Sequence, residues 1–313
     1  MSAPYYYDYI NSRVSTVSPN TIHCNNTVLQ NYFARYYLQR AMSVFDWTVP
    51  EWWDKDYTKY VVYTCGYIAI FNASRDGLGV IPQNATLSGY NIYYTPKRAI
   101  ISNPALSSTY DLEIGTECSV IKLQPGYCGI MDIVNYYADM AAMCAEAEGV
   151  NIFNSKLGYV FFAEDKAAAE KSKKMFDKIS SGNPMTVVGS LGGKDFESTK
   201  NWDVFNRDIK SSYIVDLLQD AAKRFDMEFD TLIGIPNANT SKKERLITDE
   251  VRQNDFETKS IALGWLESLQ DGIKKTIDLF PDVLSAENLS VDWRPELKNQ
   301  SGGVDDGKIM DEL

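Results

Sequence analysis

The sequence predicts an α+β fold, mainly helical, with a small β subdomain in its N-terminal half and a small α/β unit near its middle. Three observations predict it. Apolar residues recur at three- and four-residue spacing over four long stretches. Between residues 58 and 128 that period gives way to short β-branched and aromatic runs separated by Gly, Pro and Asn. Residues 157–200 then alternate a strand pattern, a charged helix and a second strand.

In chain order, residues 1–26 are polar and aromatic and read as an arm. Thr27–Phe45 reads as an amphipathic helix: Leu29, Tyr32, Phe33, Tyr36, Tyr37 and Arg40 keep helical spacing, and Asn26 or Thr27 can cap it. Pro50 ends the pattern. TKYVVYTCGYIAIFN, from residue 58 to Asn72, reads as a strand bounded by Asp76-Gly77, with further strands at Gly89–Tyr94, Ala99–Ser102 and Ser119–Leu123. Residues 131–156 are rich in Ala, Met and Glu and predict a helix. GYVFFAE, DKAAAEKSKKMFDKI and MTVVGS supply the strand, helix and strand of 157–200. In residues 201–235 a helix from about Asp208 to Ile233 carries Tyr213, Val215, Leu217, Leu218, Ala221, Phe225 and Phe229. The last helix, about Gln253–Phe280 within residues 253–284, presents Ala262, Trp265, Leu266, Leu269, Ile273, Ile277 and Phe280 and would be roughly 40 Å long. Residues 285–313 form the tail, which is Gly- and Asp-rich from Asn299.

Between the last two helices lies PNANTSKKERLITDEVRQND, Pro236–Asp255, of which 236–252 is read as a loop. It opens on turn-forming Pro and Asn and mixes Lys242, Lys243, Arg245 and Arg252 with Glu244, Asp249, Glu250 and Asp255. A polar loop of this length between helices is unusual in a compact domain and is more often functional or mobile.

Composition narrows the function. With 44% hydrophobic residues in 313, most of the chain can fold, and a net charge of −11 argues against a protein that coats nucleic acid with a basic surface. Local basic rings remain compatible with it. The 20 tyrosines, dense at 5–9 and 32–37, fit either a packed core or a protein–protein interface. Five cysteines without CxxC spacing read as buried free thiols in a reducing compartment. His23, the sole histidine, reads as a surface-loop residue, so neither a histidine metal site nor a catalytic triad is expected. Asn72-Ala-Ser and Asn84-Ala-Thr match the glycosylation pattern but follow no signal peptide. No apolar run approaches the ~18 residues of a membrane span, so no membrane partner is expected and synthesis in the cytosol is.

Chemical motifs are weak. GSLGGKD (Gly189–Asp195) fails the phosphate-loop pattern, with Asp195 where Ser or Thr should bind magnesium and Val188 where the first Gly belongs, and reads as a turn. Asp249, Glu250 and Asp255 could ligate a metal for phosphoryl chemistry, but no His or second carboxylate cluster completes such a site, and acidic residues also favour a helix start. Lys171, Lys173, Lys174 and Lys178 read as a solvated helix face. Lys242-Lys243 are a weak phosphate site in one subunit; repeated around a symmetry axis they become a circle of positive charge.

Here the residues carry a resemblance. Asn-Ala-Asn at 237–239, Lys-Lys-Glu-Arg at 242–245 and Thr-Asp-Glu-Val at 248–251 resemble, in order and spacing, the channel-loop region of the portal proteins of small short-tailed phages. These are the upper-collar or head–tail connector proteins of the Picovirinae type. Tyr213-Ile-Val-Asp216 and Gly234-Ile235 resemble the family's third helix. Close identity covers about residues 212–256, while the order of elements matches over nearly the whole chain.

The resemblance implies a portal-protein fold and a ring of about twelve subunits around a channel for double-stranded DNA. Residues 1–130 would be an arm and a wing with a barrel-like β subdomain, 131–156 and 201–235 stem helices, and 157–200 an α/β clip. Residues 236–252 would be the channel loop, 253–284 a long wing helix and 285–313 the crown. It further implies DNA packaging, retention and ejection at one capsid vertex without sequence readout, no catalytic residue, no metal and no cofactor. The implied partners are the major capsid and scaffolding proteins, the lower-collar and tail proteins and the packaging ATPase, in the virion and in the host cytoplasm during assembly. The DNA contacts would be Lys242, Lys243, Arg245, Asn237 and Asn239. The family's third-helix channel lysine is not matched, since Leu217 stands there; Lys210 and Lys223 are candidates to replace it. The family's basic N-terminal arm is not matched either, because Arg13 is the only Lys or Arg before Arg35. An acidic wall with sparse lysine rings suits DNA that must slide, since many phosphate contacts would hold it. Two other classes are weighed beside this one: another collar or tail-adaptor protein of the virion, and a metal-dependent nucleic-acid enzyme.

Overall fold

The computed structural model describes residues 19–155, 159–163, 166, 170, 173, 174, 202–206, 213–235 and 248–295. It divides into two compact units, Met1–Met143 with Ala222–Leu313, and Cys144–Ala221. The elements in order are α1 (Thr27–Met42), β1 (Phe45–Thr48), α2 (Lys55–Cys65), β2 (Tyr67–Asn72), a 3₁₀ turn (Ser74–Asp76), β3 (Val80–Gln83), β4 (Thr86–Tyr90), β5 (Pro96–Ile101), β6 (Tyr110–Glu113) and β7 (Cys118–Lys122). They continue with α3 (Met131–Ser155), β8 (Tyr159–Ala163), β9 (Trp202–Asn206), α4 (Val215–Ile233), α5 (Thr248–Leu279) and β10 (Ser290–Trp293). The boundary between units falls inside α3 and inside α4.

In the first unit, β3-β2-β7 and β4-β5-β6 form two three-stranded antiparallel sheets. The barrel-like expectation is corrected, because neither sheet closes. The two meet through side chains instead, with Ala69, Phe71 and Cys118 of one and Leu87, Ala99 and Ile101 of the other in a single apolar cluster. A larger core joins the helices to the first sheet: Tyr37, Phe45, Trp47, Val62, Tyr63, Ile68, Ile121, Phe229, Trp265 and Leu269 are all buried in it. β1 pairs with β10, Phe45 opposite Trp293, so residues near the two ends of the described chain close one ladder. In the second unit β8 pairs antiparallel with β9. The expected second strand at MTVVGS and the turn at Gly189–Asp195 lie outside the described residues.

Several elements differ from their sequence patterns. Lys55–Cys65, expected as strand from residue 58, is helical. Asp54 Oδ1 accepts the Tyr57 N–H at 2.9 Å and starts it, and Gly66, left-handed at φ +92°, ends it by donating to the Val62 carbonyl at 3.0 Å. A Cβ on Gly66 would stand 2.2 Å from the Cys128 carbonyl carbon. The β-branched Val61 and Val62 favour strands by propensity, but both ends are capped and both side chains are buried in the core, and tertiary packing decides. The first helix stops at Met42, where Ser43 N–H and Oγ turn back to the Arg40 carbonyl. Phe45 therefore belongs to β1.

α4 begins at Val215 rather than near Asp208, and β9 precedes it. α5 begins at Thr248, five residues before Gln253, and takes Thr248–Arg252 out of the expected loop. Asp249 and Glu250 thereby fall in its first turn, where the helix dipole favours carboxylates. At its other end Pro281 follows Phe280 and forbids a further helical turn. The apolar set read for α5 is the face it packs: Ala262, Trp265, Leu266, Leu269 and Ile273 are buried. No described helix is long and apolar enough to cross a membrane.

Candidate functional site

Lys242, Lys243, Arg245, Asn237 and Asn239 lie outside the described residues, as does Lys210. Lys223 is on α4 and exposed. Lys173 and Lys174 are exposed as expected, while Lys171 and Lys178 fall outside the described residues. What the structure describes of the loop region is its root, and the root belongs wholly to the first unit.

α4 ends in a Schellman motif. Ile235 N–H donates to the Asp230 carbonyl at 2.9 Å, and Gly234 N–H to the Thr231 carbonyl at 3.3 Å. Gly234 takes φ +83°, a left-handed conformation that costs any L-residue with a side chain. It is also wedged: a Cβ there would meet the Ala262 Cβ of α5 at 2.6 Å and the Trp293 ring of β10 at 3.1 Å. One glycine thus both turns the chain out of α4 and lets α5 and β10 close against that turn. Ile235, the last described residue before the loop, packs against the core.

The last turns of α4 are fixed to α1 by polar contacts. The Tyr37 hydroxyl donates to Asp226 Oδ1 at 2.7 Å. Arg40 donates one guanidinium nitrogen to Asp230 Oδ2 and the other to the Tyr36 hydroxyl, and its guanidinium carbon stands 5.6 Å from the Tyr36 ring centroid. Burial holds the Tyr37 phenol well above its ordinary range, with the Asp226 hydrogen bond adding to the effect. Burial also pushes the Asp230 carboxyl up to about 6, against the opposing pull of Arg40. The second carboxyl oxygen of Asp230 is buried without a hydrogen-bond partner among the described residues. A carboxylate there is therefore only half compensated.

Sequence reasoning missed this network because its members lie 189 and 190 residues apart. It also missed His23, whose Nδ1 lies 2.8 Å from the buried Asp139 Oδ2 and ties the segment before α1 to α3. Only a buried Asp in an Ala/Met-rich helix signals it beforehand. Of the thiols, Cys24 and Cys118 are buried, the latter pushed up to about 12 chiefly by desolvation, but Cys65 is exposed, which corrects the expectation for that residue. Among the described residues no cluster of His, Cys, Asp and Glu is arranged to hold a metal.

Residues 14–281 match the model of the Phage Connector (GP10) family. The chain belongs to this family. It is a head–tail connector, a structural protein of a phage particle. Solved structures similar to this connector include a chain from the portal and tail of native bacteriophage P68, 14% identical with TM-score 0.41, over 88% of this chain and 92% of that one. A portal protein of the HK97 family from Corynebacterium diphtheriae is 11% identical with TM-score 0.39, over 88% and 95%. A chain from the virion of a native gene transfer agent is 10% identical with TM-score 0.40, over 87% and 82%.

Proposed function

We propose that this connector assembles as a ring of about twelve copies whose central channel conducts double-stranded DNA into and out of the phage head. The observation that carries the reading is the family match over residues 14–281, joined to a polar, lysine-bearing segment set between two helices that both pack into one core. Its partners are the capsid and scaffolding proteins around it, the lower-collar and tail proteins below it, and the packaging ATPase, which it meets in the host cytoplasm during assembly. Residues 157–200 serve as the clip towards tail and motor, α3 and α4 as the stem, and the β sheets with α5 as the wing.

The chemistry asked of the channel is weak and indifferent to sequence. Lys242 and Lys243, with Arg245, Asn237 and Asn239, supply a sparse ring of phosphate contacts, to which Lys210 or Lys223 adds a second. With a net charge of −11 per subunit, most of the assembly repels the backbone, and the few cations act as transient holds. Catalysis is no part of this function.

Native mass spectrometry and electron microscopy of the purified chain test the ring, with a closed ring and central hole expected. A protein that stays monomeric at every concentration and salt would exclude it. Replacing Lys242 and Lys243 together by Ala should leave the ring intact while particles lose packaged DNA or stop short of full packaging. Loss of the ring in that variant would instead make the segment an assembly element.

A further inference from the structure

Two helical surfaces leave large apolar side chains uncovered, and they differ in charge. The first is on α1. Val28, Tyr32, Arg35 and Tyr36 follow one another at three- and four-residue spacing and are exposed, while Tyr37, Leu38 and Ala41 are buried behind them. Val28 is 78% exposed. α1 is the one described α-helix without Asp or Glu, and its two charged residues are Arg35 and Arg40. Arg40 is held by Asp230 and the Tyr36 hydroxyl, which also fixes the Tyr36 ring. Arg35 forms no ion pair with a described residue. A solvated helix face in a chain with 42 acidic and 31 basic residues ordinarily mixes Glu with Lys. Tyrosine, valine and arginine without Lys, Asp or Glu are instead the composition of a buried contact between proteins.

The second surface belongs to the second unit, where the end of α3 lies beside the start of α4. Ile214 N–H donates to Asn151 Oδ1 at 3.2 Å, and the Gln219 side-chain amide donates to Glu148 Oε1 at 2.7 Å. The two helix ends are thus tied at two levels. Val150, Phe153, Tyr213 and Ile214 are exposed on them, Phe153 by 63%. Residues 144–155 and 213–221 contain Glu146, Glu148, Asp216 and Asp220 but no Lys or Arg. Asp216 is exposed and forms no ion pair with a described residue.

We propose that the α1 face of one copy docks on the α3–α4 face of a second copy, with Val28 and Tyr32 against Phe153 and Ile214, and Arg35 towards Asp216 and Glu148. This contact rests on the ring reading and names the surfaces that join its subunits. A ring of identical chains needs two unlike faces on each chain, each fitting the other. These two fit in both respects: both are apolar, and each carries only one sign of charge. Pairing either face with its own copy would bring like charges together, arginine to arginine or carboxylate to carboxylate. The joint is therefore heterologous, and it propagates from copy to copy instead of stopping at a closed dimer. Two chains of net charge −11 also repel each other, and α1 is the helix that adds no carboxylate to that repulsion.

Charge reversal on the full chain tests it, with native mass spectrometry and sedimentation velocity read over a concentration series. Arg35→Glu and Asp216→Arg, each alone, should raise the concentration of half-assembly at least about tenfold, because each sets like charges face to face. An equimolar mixture of the two variants should assemble near the wild-type concentration, since every joint then has opposite charges, and its rings should hold the two chains in equal number. Should a reversal prevent folding, Tyr32→Ser and Phe153→Ser, which leave every charge in place, must each weaken assembly instead. Single variants that assemble like the wild type, or a mixture no better than its components, would overturn the contact. If such indifferent rings then failed to build particles, the faces would belong to another virion protein. A wild type that stays monomeric at every concentration removes the ring and this contact together, whereas wild-type rings with indifferent variants remove this contact alone.

Discussion

Gly234 and Asp230 show how much depends on single residues at the end of α4. Gly234→Ala introduces a side chain at φ +83° and against Ala262, so a loss of ~2–4 kcal/mol in denaturant unfolding is expected. Ala262→Gly costs ~1 kcal/mol on its own as a glycine inside a helix, but in a double-mutant cycle it should couple favourably with Gly234→Ala, because it removes the 2.6 Å contact, while the ~1–2 kcal/mol backbone cost remains. Asp230 gives a pH signature. Its folded-state pKa is raised from 3.8 to about 6, so the folded protein binds more protons than the unfolded chain between those values. Its contribution is fully present below about pH 4 and is lost as pH rises through 6, at ~1.4 kcal/mol per pKa unit. The wild type should therefore lose stability relative to Asp230→Asn as pH is raised from 4 to 7, measured as the difference between their unfolding free energies. A difference that grows with pH would show that Arg40, not burial, dominates this carboxyl.

At the scale of elements, α5 and α2 mark the two extremes of legibility. The apolar face of α5 was readable because its side chains repeat over many turns, and residues that share a helical face share a core. Trp265 lies at the centre of that face, and Trp265→Ala should cost ~3–5 kcal/mol in equilibrium unfolding. α2 was misread because its composition favours strand while its limits are set by Asp54 and Gly66. Asp54→Ala should cost about 1 kcal/mol through the lost bond to the Tyr57 N–H. α1 lies between: its period was right and its face partly wrong. Tyr37, Leu38 and Ala41 are buried, whereas Tyr32 and Tyr36 are largely exposed. Tyrosine is amphipathic, so spacing alone could not tell a core ring from a surface ring. The four-residue strands β1 and β10 were invisible, since each is defined only by the other. At the site, the motif at 237–251 was legible enough to point to the family, but the Arg40–Asp230 clamp was not, because nothing local links α1 to the end of α4.

For the whole molecule, the first unit is discontinuous in sequence: residues 1–143 and 222–313 build one core, and 144–221 form a unit of their own between them. Ending the chain at Ser285 would delete β10, strip Phe45 and Trp47 of their ladder partners and remove the Trp293 ring packed on Phe45. Such a truncation should cost several kcal/mol, seen as a fall in the denaturation midpoint, with new exposure of Trp47 to fluorescence quenchers.

The β1–β10 ladder also sets a schedule for synthesis. At ~5–20 residues per second, the roughly 240 residues between its two strands take on the order of ten to fifty seconds to translate. Throughout that interval Phe45 and Trp47 await the β10 residues opposite them, which the ribosome has not yet made. The inserted segment 144–221 emerges whole within it. The nascent chain thus carries an unsatisfied apolar surface for most of its birth, which makes it a natural client for a holding chaperone until its last fifty or so residues appear.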